Sequence, residues 1–109
     1  MIKITLDHTE FAKEIKTMKR VSKYSNGRYC CPQVISYGMA IHKCDLMAWV
    51  LMPRYGHNLE YITHKMSYKL SKTTILDIGT AMLMNLETVH KAGYVFNDLK
   101  LENLMVGCN

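Results

Sequence analysis

No apolar run in the sequence approaches the ~18 residues that a membrane span requires. The longest, Met47 to Pro53, is far shorter, so no membrane partner is expected. The amino end, Met1 to Glu10, lacks a basic segment followed by an apolar one and a small-residue cleavage site. No secretory signal is read there, and an intracellular protein, cytoplasmic or nuclear, is expected. No Ser-, Gly- or Pro-rich stretch marks a linker and no internal repeat is visible. The four cysteines, Cys30, Cys31, Cys44 and Cys108, contain no Cys-x-x-Cys pair. The five histidines, His8, His42, His57, His64 and His90, show no zinc-ligand spacing. These absences leave free thiols, buried or partly buried, as the expectation, and assign the histidines no metal.

What is present is ordinary for a globular chain. Of 109 residues, 49% are hydrophobic and 21% charged, which excludes a low-complexity or generally disordered chain. The length suits one small domain, burying roughly two thirds of the surface its unfolded chain exposes. Fourteen Lys and Arg against nine Asp and Glu give a net charge of +5, a balance that favours acidic partners. The charge is scattered, with only Lys13 to Lys23 locally dense, and that segment reads as the solvated face of a helix. A basic stripe with interleaved aromatics is lacking, so nucleic acid is not expected as a partner.

Phe11, Ile15, Met18 and Val21 recur at helical spacing and predict a helix over Glu10 to Val21. Asp7 with Glu10 three residues later resembles a capping box. Asn26-Gly27 predicts a turn, and strands are read at Val34 to Ile41 and Asp45 to Met52, joined by a hairpin link at His42 to Cys44. Pro53 stops the second strand, and Asn58 is placed to cap a helix beginning at Leu59. The clearest helix, Thr74 to Ala92, carries Ile75, Ile78, Met82, Leu83, Leu86, Val89 and His90 at helical spacing and is long enough for a core helix. Gly93 supplies its stop. Tyr94 to Phe96 and Leu104 to Val106 read as short strand pieces around a polar loop, and the nine methionines read as core filler.

The loop Phe96-Asn-Asp-Leu-Lys-Leu-Glu-Asn103 holds the chemistry. Phosphoryl transfer calls for a carboxylate to orient a hydroxyl and accept its proton, a lysine to neutralise phosphoryl charge, and an amide oxygen to help hold magnesium. Asp98, Lys100 and Asn103 supply those three types. Their Asp-x-Lys-x-x-Asn spacing, after a long helix, resembles the catalytic loop of eukaryotic protein kinases in its serine/threonine form. Val50-Leu-Met-Pro-Arg-Tyr-Gly-His-Asn-Leu-Glu60 resembles the strand and hinge of the casein kinase I family. That resemblance implies Met52 as gatekeeper, Pro53, Arg54 and Tyr55 as a hinge with Tyr55 giving main-chain adenine contacts, and Gly56 allowing close backbone approach. Phe11 to Met18 resembles the kinase helix whose glutamate pairs with a phosphate-binding lysine. Glu14 is the matching glutamate and Lys3 the matching lysine, with an ordinary exposed side chain as the alternative for Lys3.

The resemblance implies an α+β, protein-kinase-like fold. It comprises part of a small-lobe antiparallel sheet with its helix (1–52), a hinge (53–57), and the first long helix and catalytic loop of a large lobe (58–109). ATP, Mg2+ and a protein substrate or partner follow as expectations. Phe96 and Asn97 stand where the family usually has histidine and arginine, and Leu101 replaces a frequent proline. Neither Gly-x-Gly-x-x-Gly nor Asp-Phe-Gly occurs. The expected function is therefore that of a serine/threonine kinase fragment, inactive by itself. A kinase-derived pseudokinase or binding module is the alternative. An unpaired strand edge and an exposed apolar helix face are also expected.

Overall fold

A computed structural model describes residues 1–28 and 30–107; Cys108 lies outside the described residues. The chain divides into two compact units, Met1–Arg54 and Tyr55–Asn109.

The first unit is built on a three-stranded antiparallel sheet in the order β1-β3-β2, with β1 at Ile2–Thr5, β2 at Ser36–His42 and β3 at Asp45–Leu51. Helix α1, His8–Tyr24, lies between β1 and β2 in sequence and starts earlier and ends later than its apolar spacing predicts. Asp7 caps it by accepting from the Glu10 amide at 2.9 Å. The reciprocal half of a capping box is not what satisfies the Asp7 amide, which donates instead to Thr5 Oγ1 at 3.1 Å.

The apolar stripe Phe11, Ile15, Met18 and Val21 is buried, and its first three members pack with Ala48, Val50 and Met52 into one core. Ala48 and Val50 alternate along β3 and Met52 follows its end in step, so the three share the face that α1 covers. Each large side chain so buried contributes about 1.5–3 kcal/mol. Elsewhere the methionines depart from expectation. Met18 and Met52 are buried, but Met39, Met66 and Met105 are exposed, because they fall outside this stripe and strand face.

The β2–β3 hairpin pairs His42 with Asp45, which leaves a two-residue turn at Lys43-Cys44 with φ of 46° and 70°. Positive φ at both positions matches the turn whose twist suits a tight hairpin. It also places Cys44 at an exposed tip, against the expectation of buried or partly buried thiols. Opposite Trp49, Gly38 has no room for a side chain, since a Cβ there would lie 3.0 Å from Trp49 Cζ2.

In the second unit, α2 spans Leu59–Lys65 and α3 spans Lys72–Lys91. Asn58 caps α2 by accepting from the Tyr61 amide at 2.8 Å, and Ser71 caps α3 through the Thr74 amide at 3.0 Å. The carboxyl end of α3 closes as its glycine predicts. Gly93 takes φ 88°, its amide donates to the His90 carbonyl, and the Tyr94 amide donates to the Val89 carbonyl, the Schellman pattern. The reading of α3 as a core helix is corrected along most of its length. Val89 and Ala92 are buried, but Ile75, Leu76 and Leu83 are exposed, because no described element of this unit covers that face.

Tyr94 to Phe96 is not a strand, since no described segment offers it a ladder. Of the second strand piece, only an isolated bridge survives, between Asn58 and Met105. Among the described residues, no helix is long and apolar enough to cross a membrane.

Candidate functional site

The loop leaving α3 folds back on itself around Asp98. Leu101–Asn103 forms a single 3-10 turn, which reverses the chain and carries the Asn103 side chain toward Asp98. Asn103 Nδ2 donates to the Asp98 carbonyl at 2.9 Å and to Asp98 Oδ2 at 2.8 Å. Lys100 Nζ lies 3.5 Å from the same Oδ2. Both side chains of that ion pair stand well out in solvent, 50% and 71% exposed, so the contact adds little stability. Because Asn103 spends its amide hydrogens on Asp98, its carbonyl oxygen is the group it can offer to a cation. The three residue types singled out from spacing are thus brought together at one exposed loop.

The loop is anchored from behind by backbone pairing. The Leu59 amide donates to the Leu104 carbonyl at 2.8 Å, the Val106 amide to the His57 carbonyl at 3.1 Å, and the Gly56 amide to the Val106 carbonyl at 2.8 Å. Gly56 does permit a close backbone approach, but what approaches is Val106, whose carbonyl oxygen would lie 3.1 Å from an added Cβ. This anchor was not legible in the sequence, because it joins segments 45 to 50 residues apart with no local signal.

The first unit carries its own pair. Sheet register sets Lys3 opposite Val50, so the two share the α1-facing side of the sheet. Glu14 sits one turn after Phe11 and one turn before Met18, on the flank of the buried stripe. The two side chains meet, with Lys3 Nζ donating to Glu14 Oε1 at 2.6 Å and Oε2 at 2.7 Å. Lys3 is therefore ion-paired rather than an ordinary exposed side chain, though the pair remains 47% and 33% exposed.

Of the remaining predicted site residues, Met52 is buried at 4% exposure. Its amide donates to the Met1 carbonyl at 2.9 Å, and its own carbonyl accepts from the Met1 amine at 2.7 Å. Arg54 is exposed and Tyr55 half-buried.

Two thiols missed as a pair by sequence reasoning also interact. Burial raises Cys31 to about 11, with the neighbouring Cys30 charge and a thiol hydrogen bond that Cys31 donates to it adding to the effect. Burial also raises Cys30. Both are thus protonated and poorly nucleophilic near neutral pH. No cluster of three or more His, Cys, Asp or Glu suited to a metal occurs among the described residues. Any cation at the Asp98 loop would rest on one carboxylate and one amide, a donor set that suits magnesium held largely by phosphates.

No protein-family model matches the chain. It is 28% identical over 74 residues to a probable casein kinase I homolog of Encephalitozoon cuniculi, covering 68% of this chain and 24% of that protein. Nucleosomal histone kinase 1 of Drosophila melanogaster is 28% identical over 76 residues, 70% of this chain and 13% of its own length. A human serine/threonine-protein kinase is 32% identical over 76 residues, again 70% of this chain and 15% of its own length. The chain thus spans about a quarter or less of the length of the curated relatives it matches.

Proposed function

Since the chain is part of a protein kinase domain of the serine/threonine kind, we propose that it contributes a catalytic loop for phosphoryl transfer from ATP to a protein hydroxyl. The observation that carries this reading is the convergence of Asn103 and Lys100 on one carboxylate oxygen of Asp98. Kinase relatives imply ATP and Mg2+ in the general family, and bound MgATP supplies the phosphoryl group and compensates its charge.

Asp98, braced by the Asn103 amide, orients the attacking hydroxyl and accepts its proton at a carboxylate oxygen. Lys100 neutralises charge on the transferring group. Asn103 would offer its carbonyl oxygen to magnesium while its nitrogen holds Asp98. Glu14 would hold Lys3 for phosphate oxygens, Met52 is assigned as gatekeeper, and Arg54 and Tyr55 are assigned to the adenine, Tyr55 by its main chain.

A second reading, a kinase-derived binding module without catalysis, is favoured by Phe96 and Asn97 standing where histidine and arginine are usual in the family. A loop exchange separates the two. Residues 96–103 are placed in the complete catalytic domain of the Drosophila relative, and radiolabel transfer to histone is measured. The kinase reading expects transfer to persist and to fall about a hundredfold or more with Asp98→Asn. A folded chimera without transfer supports the binding module, and full turnover in the Asp98→Asn chimera removes Asp98 from the base role.

A further inference from the structure

We propose that α2 and the turn after it form a stacking surface for a single-stranded nucleic acid, with Tyr61 and Tyr68 facing bases and Lys65, Lys69 and Lys72 meeting phosphates. His57, Tyr61 and Lys65 follow one another at four-residue spacing, as do Glu60, His64 and Tyr68, which sets two adjacent rows along the helix and its flanks. In the first row His57 stacks on Tyr61, with ring centroids 4.2 Å apart and planes at 25°. Lys65 Nζ lies 5.5 Å from the same Tyr61 ring. In the second row His64 and Tyr68 meet edge to face at 6.0 Å, and the Tyr68 hydroxyl donates to Glu60 Oε1 at 3.2 Å. Both tyrosines are braced, yet they keep open ring surface at 45% and 63% exposure.

The turn itself holds Tyr68 outward. Ser67 and Tyr68 take φ of 51° and 57°, a region that bulky side chains rarely adopt. Strain of this kind persists where the surroundings over-determine it. Here the Ser67 amide donates to the His64 carbonyl at 3.0 Å, the Tyr68 amide to Thr63 at 2.7 Å and the Lys69 amide to Met66 at 3.0 Å. A ring presented so rigidly loses little freedom when a base meets it. The charge has one sign. Between His57 and Lys72, Glu60 is the single carboxylate against three lysines, and the Tyr68 hydroxyl engages it. Among the described residues no ion pair occupies those lysines. The scattered charge of the whole chain conceals this cluster, because it fills one short stretch. Aromatic faces beside cations fit unpaired bases on a phosphate backbone. An acidic peptide would leave the ring faces unused, and a duplex keeps its bases stacked inside. The surface uses none of the residues assigned to phosphoryl transfer and does not depend on that reading.

The test is fluorescence anisotropy on the whole 109-residue chain, with fluorescein-labelled dodecamers of uridylate and of thymidylate. Tyr61→Ala is expected to weaken binding about tenfold, as loss of one stacked base does. Tyr68→Gly should do the same, and because glycine suits the positive φ it removes the ring without unsettling the turn. Tyr68→Phe keeps the ring and should stay within about twofold. With three phosphates neutralised, affinity should fall about twentyfold as salt rises from about 50 to 200 mM. Lys65→Gln/Lys69→Gln/Lys72→Gln should remove most of that dependence, whereas Lys13→Gln/Lys16→Gln/Lys23→Gln on α1 should leave affinity within about threefold. A preference for the ribose dodecamer assigns RNA, the reverse assigns DNA, and equal affinity supports a site indifferent to the sugar. No saturable binding by the parent chain, undiminished binding by both ring-deleted variants, or an equal loss in the α1 control overturns the proposal. Tighter binding of a duplex of the same length, or of an oligoglutamate, overturns it as well.

Discussion

Replacing Lys3 by methionine separates what its ion pair does for the fold from what it does for a ligand. The pair is bidentate, at 2.6 and 2.7 Å, yet its side chains remain 47% and 33% exposed. In that setting solvent screening and side-chain ordering leave about 0.2–1 kcal/mol of coupling. A double-mutant cycle of Lys3→Met and Glu14→Gln, read by urea unfolding, should return a value in that range. The coupling should shrink between about 0.1 and 1 M salt, as the Debye length falls from about 10 to 3 Å. Trp49, the single tryptophan, lies on β3 opposite Ile4 and reports unfolding of this unit by its emission. Affinity for a fluorescent MgATP analogue should meanwhile fall about tenfold or more with Lys3→Met, since a charged contact to phosphate is lost. Lys3→Arg should recover part of it. A coupling above about 2 kcal/mol would show the pair to be a structural strut. Affinity unchanged by Lys3→Met, or no saturable binding by the parent chain, would refute the phosphate role.

The hairpin turn holds two non-glycine residues at positive φ. Replacing Lys43-Cys44 by Asn-Gly should therefore raise stability by about 1 kcal/mol, seen as a higher Tm, and an unchanged Tm would contradict the turn assignment. Cys31, raised from 9.0 to about 11, favours the folded state in its protonated form. Its contribution is complete below pH 9 and is lost as pH rises toward 11. Urea unfolding across that window should lose part of its pH slope in Cys31→Ala. Thiol reagents at pH 8 should label exposed Cys44 well before Cys31, and equal rates would sink the burial argument.

Much of the local architecture is legible from residue spacing alone. The stripe Phe11, Ile15, Met18 and Val21 marks both a helix and its buried face, and Asp7, Asn58 and Gly93 mark ends that the structure uses. Where the reading erred, the cause was non-local. Tyr94 to Phe96 has strand-like side chains, but a strand exists only when a partner supplies the ladder. The apolar face of α3 reads as core, yet burial depends on a second element packing against it.

The same division runs through the candidate site. Which chemical groups are on hand, Asp98, Lys100 and Asn103 within one short loop and Glu14 on a helix flank, follows from residue type and short spacing, which are one-dimensional facts. Tertiary structure alone decided that Lys3 reaches Glu14, since only the pairing of β1 with β3 turns Lys3 to the α1 face. It alone decided that the loop is tied at its exit to the start of α2. The recess flanked by α1 and β2 likewise exists only because α1 packs across β3, whose neighbour is β2. Strand register and element packing are set by contacts between distant segments, whose free energy no single stretch of sequence contains.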